Sequence, residues 1–293
     1  MSDPDESSTA SSVDIHAICP KLINLIMDTV FVVDGSGVIL FVNDACETLL
    51  GYAKDELIGT PIRQYVYPGD LDSTMQAAQR VISGQPHIHF ENRYLRKDGS
   101  IVNILWSARW DDEQQVRIGV ARDITALKQA EEELRFLAHH DPLTGLTNRH
   151  LFNDRLETAL RAAEREHRPL ALLYLDLNDF KRINDGWGHE AGDYVIKDIA
   201  RRLESGLRKS DTIGRIGGDE FTILLTDVSE PSSVDASMVK IRRILEVPIE
   251  YKGEHFRVGC SIGVARYPED GDTARQLLNT ADSRMYADKR KVE

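Results

Sequence analysis

The chain has 293 residues, 41% of them hydrophobic and 29% charged, and at roughly 150 residues per domain this suggests about two domains, each with a core of its own. Lys and Arg number 36 against 48 Asp and Glu, and the net charge of −12 disfavours nonspecific contact with DNA phosphates or anionic lipid. No run free of Asp, Glu, Lys and Arg exceeds ten residues, against the roughly 20 apolar residues a membrane span needs, so no membrane span is expected.

The opening MSDPDESSTASSVD carries four acids and no base over fourteen residues, which predicts a disordered acidic tail over residues 1–19 and no signal peptide. The three cysteines, Cys19, Cys46 and Cys260, are odd in number and far apart, so no disulfide framework or thiolate metal site is indicated and a cytoplasmic location is expected. Residues 20–125 read as a first domain of pattern β-β-(short helices)-β-β-β. TVFVVD (29–34) and VILFVN (38–43) flank the turn GSG, and HIHFENRYL, IVNILWSARW and QQVRIGVARDI follow, with Asp98-Gly99 as a hairpin signal. His87 and His89 alternate on a strand and so share a side, and Trp106 and Trp110, four apart, share a face suited to packing.

In residues 126–140, ALKQAEEELRFLAHH, the residues Leu127, Ala130, Leu134 and Leu137 are spaced 3, 4, 3, the seam of a coiled coil. Such a stripe packs either on its own domain or on a second copy; the expectation is a connecting helix that pairs in a homodimer. From residue 141 to 293 helices and strands alternate. LALLYLDL (170–177) has the near-continuous apolar run of a central strand, and DTIGRIGGDEFTILL (211–225) reads as two strands around a Gly-Gly turn. The fold class is α+β, a sheet with helices against it.

The chemistry concentrates where Asp176 ends a buried strand and Asp219 and Glu220 follow Gly217 and Gly218 at a hairpin tip. Clustered carboxylates beside a core are costly unless a cation compensates them. Oxygen ligands without His or Cys suit Mg²⁺ or Mn²⁺. The glycines let the hairpin backbone approach a ligand closely, and the combination invites a nucleotide.

RIGGDEF (215–221), LDLNDFKRINDGWGHEAGD (175–193) and HHDPLTGLTNR (139–149), followed by SIGVA (261–265) and ADSRMYADK (281–289), resemble the signature blocks of the GGDEF family of diguanylate cyclases. The first half, with GYAKDELIG (51–59), the KDGS hairpin and RDIT (122–125), resembles a PAS sensor domain. The resemblance implies a PAS-like antiparallel sheet domain joined by a helix to a GGDEF domain of the palm or nucleotidyl-cyclase-like α+β fold. It also implies condensation of two GTP into cyclic di-GMP with release of two pyrophosphates.

By the same resemblance Asp176, Asp219 and the carbonyl of Leu177 match metal ligands, with Glu220 as a further one, for two ions per active site; Asp219 or Glu220 takes the proton of the attacking hydroxyl. Lys181 and Lys289 match phosphate-contacting lysines, Asn184, His189 and Asp193 the base-binding positions, and Gly217 and Gly218 the turn over the substrate. A carboxylate at Asp193 can accept from both N1–H and N2–H of guanine, which adenine cannot offer. Arg208 and Asp211 match an RxxD site at which cyclic di-GMP inhibits its own synthesis.

This chain departs from the family pattern at Asn178 and Asp179, where Asp and His are common, and at Arg284, where a small residue is usual. It also ends at Glu293, before a terminal Gly-Arg-Asn, so one arginine on the triphosphate lacks a counterpart and activity is expected to be reduced. No cofactor motif in the PAS-like half identifies its ligand. The alternative reading is a noncatalytic receptor that binds GTP or cyclic di-GMP and relays that state to a partner.

Overall fold

The computed structural model describes residue 23 and residues 25–85, 87–226, 228 and 231–291; the expected acidic tail and Cys19 lie outside the described residues. The chain divides into two compact units between Glu132 and Glu133.

In the first unit, strands β1 (Thr29–Asp34) and β2 (Ile39–Val42) form the expected hairpin. Short helices α1 (Ala45–Leu50) and α2 (Lys54–Leu57), two single turns and α3 (Leu71–Ile82) follow. Gly51 ends α1 in the left-handed region at φ 75°, where a residue without Cβ is unstrained. Strands β3 (His87–Leu95), β4 (Ile101–Asp111) and β5 (Val116–Asp123) complete an antiparallel sheet of order β2-β1-β5-β4-β3. The first strand therefore closes on the last, Phe31 opposite Gly119. Phe31, Ile39, Leu50, Leu57, Val102 and Ile104 are fully buried between sheet and helices.

One expectation fails in this unit. His87 and His89 do not simply alternate, because the β3–β4 register shifts between Ile88 and Phe90 and His89 sits at φ 72°. The extra residue of a bulge breaks the two-residue period. Trp106 does face the core, its ring 5.4 Å from that of Phe31 and its Nε1 donating to Asn92 Oδ1 at 3.0 Å.

Helix α4 (Thr125–His139) spans the division between the units, and none of its residues is buried. Leu127, Leu134 and Leu137 are 57%, 67% and 43% exposed, so among the described residues nothing covers the heptad stripe.

The second unit holds α5 (Arg149–Glu166), β6 (Leu170–Leu177), α6 (Phe180–Trp187) and α7 (His189–Gly206). Then come β7 (Thr212–Gly217), β8 (Glu220–Leu225), α8 (Pro231–Leu245), the small hairpin β9 (Ile249–Tyr251) and β10 (Glu254–Phe256), β11 (Cys260–Tyr267) and α9 (Ala274–Lys289). The main sheet has the order β11-β6-β8-β7 with every pair antiparallel. Every residue of β6 is buried, and helices with apolar stripes, Phe152, Leu156 and Leu160 on α5 and Val195, Ile199 and Leu203 on α7, join its core. Gly263 of β11 lets α9 lie directly on the strand, since a Cβ there would collide with the backbone at Ala281 and Met285. Among the described residues no helix is long and apolar enough to cross a membrane.

Candidate active site

The antiparallel register of β6 and β8 sets Asp176 directly opposite Glu220 and Tyr174 opposite Thr222, so all four side chains share one face of the sheet. The turn between β7 and β8 carries Gly217, Gly218 and Asp219 over the end of β6, tied there by the Leu177 N–H donating to the Asp219 carbonyl at 3.2 Å. Gly218 is left-handed at φ 52°, and no atom lies within 4 Å of where a Cβ would stand on Gly217 or Gly218. The turn is therefore open above its backbone.

The turn is held from beneath by a residue assigned no role from the sequence. Arg215 donates from Nε and Nη2 to the Gly218 carbonyl at 3.0 and 2.7 Å, and from Nη1 to both oxygens of Asp141 at 2.9 and 3.1 Å. Asp141 also accepts from the N–H and hydroxyl of Thr144. Burial pushes the Asp141 carboxyl up, but these donors outweigh it and hold it below the usual carboxylate range. Both residues stand inside the motif runs HHDPLTG and RIGGDEF; two opposite charges that no apolar pattern explains were the available signal.

Asp176 is only 7% exposed, and Lys289 at the end of α9 donates to its Oδ1 at 2.6 Å. Asp219 is raised above its ordinary value by burial and next by the Asp176 charge. Glu220 accepts from the Tyr174 hydroxyl at 2.9 Å, and burial followed by that acceptor pushes the phenol well above its usual range. Among the described residues no three His, Cys, Asp or Glu side chains already stand together as a metal cluster.

The donor set nevertheless fits a hard divalent cation. Two desolvated carboxylates repel each other beneath an open glycine turn, and an ammonium already sits on one of them. Asp176 and Asp219, with the Leu177 carbonyl, are the residues able to hold it; Glu220 has one oxygen engaged by Tyr174.

The remaining candidates fall into two places. Lys181 and Asn184 lie on α6, and His189 and Asp193 in the first turns of α7, with Lys181, His189 and Asp193 exposed. Asn184 packs its Oδ1 on Gly192, where a Cβ would collide with it, and accepts at its carbonyl from the Gly188 N–H at 2.9 Å. The two helices follow β6 directly, entered through Asp179 at φ 58°. Asn178 turns back to accept from Ser261 Oγ at 2.7 Å. Arg208 and Asp211 stand elsewhere, before β7, in a turn closed by the Arg208 N–H on Asp211 Oδ2 and the Asp211 N–H on the Arg208 carbonyl, both at 3.0 Å. Five residues of β7, 212–216, separate them from Gly217, a span of about 20 Å from Asp211 to the turn. Arg284, the unusual residue of α9, forks onto both oxygens of Asp270 at 2.7 Å and faces away from this cluster toward the Val264 carbonyl.

Comparison with known proteins matches these features. The sequence model described as "Diguanylate cyclase, GGDEF domain" covers residues 138–293, and one described as "PAS fold" covers 39–121. The chain is 42% identical over 162 residues to MucR of Pseudomonas aeruginosa, a bifunctional diguanylate cyclase and cyclic di-GMP phosphodiesterase, covering 55% of this chain and 24% of that protein. The solved GGDEF domain of TpbB from Pseudomonas aeruginosa shares 42% identity and a TM-score of 0.51, covering 52% of this chain and 90% of that one. The coiled coil and GGDEF domain of DgcB from Caulobacter crescentus, solved with c-di-GMP, gives 29% identity and a TM-score of 0.50 over 57% of this chain and 89% of that one. The chain spans only 24% of the length of MucR and 38% of the full TpbB protein. With the glycine turn intact and the family's sequence model matched over more than half of the residues, this chain belongs to the GGDEF domain family, preceded by a PAS fold.

Proposed function

We propose that this chain is a diguanylate cyclase that joins two GTP into cyclic di-GMP under control of its PAS unit. The observation that carries the reading is the pairing of two desolvated acids, Asp176 and Asp219, under an open Gly217-Gly218 turn. Magnesium or manganese bound there would offset the charge of the triphosphate and favour ionisation of an attacking 3′-hydroxyl. Asp176, Asp219 and the Leu177 carbonyl would hold it.

The chain's own residues supply the rest. The 3′-oxygen of each GTP forms a bond to the α-phosphorus of the other, the bond from each of those phosphorus atoms to its bridging oxygen breaks, and two pyrophosphates leave. The hydroxyl proton passes to a carboxylate oxygen of the Asp219–Glu220 pair. Lys181 and Lys289 neutralise the triphosphate; for Lys289 this means exchanging Asp176 for phosphate oxygens. Asn184, His189 and Asp193 bind the base, with Asp193 accepting from N1–H and N2–H of guanine.

Because each protomer brings one GTP, turnover needs two copies face to face, and the exposed stripe Leu127, Ala130, Leu134 and Leu137 of α4 is the surface that pairs them. Arg208 and Asp211 form a separate site for the product, as an arginine fork and a carboxylate suit phosphate and a guanine edge.

One observation favours the receptor reading: the Lys289 ammonium donates to Asp176 Oδ1 and so competes for one of the carboxylates a divalent ion needs. Incubation with GTP and Mg²⁺ followed by chromatographic separation of products decides between the two. Cyclic di-GMP from the wild type and none from Asp219→Ala supports the cyclase; GTP binding without any dinucleotide overturns it.

A further inference from the structure

Lys289 is the last residue of α9, and the last turn of a helix, whose carbonyls lack partners within it, is where helices fray. Its ammonium nevertheless stands on one oxygen of Asp176 at 2.6 Å. A lysine side chain is long and loses much rotamer freedom when it is held, so its backbone has to be fixed by something other than the helix.

The preceding residue supplies that. Asp288 Oδ2 accepts from the Ile262 N–H at 3.1 Å and from Arg242 Nη2 at 2.7 Å. Arg242, on α8, also donates from Nη1 to the Cys260 carbonyl at 3.0 Å. These bonds close a ring along the outer side of β11, an edge strand, and tie α8, β11 and α9 together at one level. The register sets that level: Cys260 and Ile262 flank Ser261, which stands opposite Asp176 on β6. The anchor of the last helical turn and the carboxylate that Lys289 meets are therefore referred to the same rung of the sheet. Cys260 and Ile262 are both buried, so these bonds form largely withdrawn from water. Burial pushes the Asp288 carboxyl up, but the Ile262 N–H and the Arg242 guanidinium outweigh it and hold it below the usual carboxylate range. A second pair serves the same strand farther from Asp176. Arg284 donates to the Val264 carbonyl and to Asp270, which accepts from the Arg266 N–H.

We propose that Asp288 and Arg242 are positioning residues for Lys289, holding the last turn of α9 so that its ammonium passes from Asp176 to the triphosphate. This rests on the nucleotide site proposed above and deepens it, since neither residue touches substrate and each acts through the lysine. The Arg284–Asp270 pair is the internal control. It fastens α9 to β11 by the same kind of bonds and holds no residue assigned to the site.

The test is isothermal titration calorimetry of the full chain, with Mg²⁺, using the GTP analogue that carries a methylene between its α- and β-phosphorus and so cannot release pyrophosphate. Lys289→Met should weaken the analogue by about tenfold or more, the usual effect of removing a charged hydrogen-bond donor. Asp288→Ala should weaken it by about threefold or more in the wild-type chain, the scale of coupling within one ion-pair network, and by less than about twofold in the Lys289→Met chain. Arg284→Met should stay within about twofold of wild type. A residue that merely stabilised the fold would act alike with and without the lysine. The inference is overturned if Asp288→Ala weakens binding equally in both chains, if it leaves wild-type affinity unchanged, or if Arg284→Met weakens binding as much. Should circular dichroism show Asp288→Ala unfolded, Arg242→Met, which keeps the Ile262 bond, is measured in the same two chains and judged by the same criterion. Wild-type binding that Lys289→Met does not weaken overturns this inference alone, whereas a wild type that binds no analogue overturns the nucleotide site with it.

Discussion

The two sheets of this molecule place charge in opposite ways. In the second unit β6 is apolar along its length and carries its charge, Asp176, at the penultimate position, beside an open turn where a cation can reach it. In the first unit β5 turns Arg117 inward among apolar side chains, away from any carboxylate among the described residues. Charge at a strand end can be served by solvent, lysine or metal and is cheap to keep. Charge inside a sheet has only the side chains around it, and for Arg117 the polar neighbour is the Tyr94 hydroxyl.

Breaking the strand-end charge gives the largest expected effect. Asp219→Ala should lower cyclic di-GMP formation by a hundredfold to a thousandfold, roughly the effect of removing a group that stabilises a transition-state charge, while the melting of the first unit stays unchanged; product analysis and differential scanning calorimetry check the two halves. Next comes Leu134→Lys on the exposed stripe of α4. It should convert a dimer to a monomer in sedimentation and cut activity by about tenfold or more, as pairing of two bound nucleotides is lost, yet leave GTP affinity near wild type. An active monomer would remove the role assigned to α4.

Arg215→Met sharpens the comparison by loosening the turn while leaving Asp176, Asp219 and Glu220 themselves unchanged. With Gly218 and Asp141 released, kcat should fall by about tenfold or more, the scale of a displaced reacting group, and GTP affinity should change far less. Equal losses in both would make Arg215 a binding residue instead of a positioning one.

The smallest effect lies in the first unit. Arg93 donates from Nε, Nη2 and its backbone N–H to Asp70, and these bonds hold the Asp70 carboxyl below its ordinary value despite partial burial. A depressed folded value stabilises the unit fully above the unfolded carboxylate value of about 4, and that stabilisation is lost as pH falls through the lower folded value. Asp70→Asn should therefore melt lower than wild type at pH 7, with the gap closing in strong acid. A gap that persists there would assign the effect to packing.

Much of this was legible from the residues alone. Period and punctuation located the β1–β2 hairpin and the buried β6, and the order of the motif runs located the acids. Three things were not, each because it depends on contacts distant in sequence. The closure of β1 on β5 joins residues some ninety apart. The bulge at His89 is a local departure from the period that served to predict the strand. The Arg215–Asp141 pair links two motif runs whose nearness only the folded sheet creates. Arg117 was visible as a letter, but its inward direction requires the register of three strands.

Gly263 carries a consequence that reaches past its own strand. Because it has no side chain, the backbone of α9 settles on β11 itself. The same seating brings Asp288 onto the Ile262 N–H and Arg242, and Lys289 onto Asp176. The depth of one helix thus fixes how far an ammonium extends over the acids, and even a single methyl on that strand would lift the helix and shorten the lysine's reach.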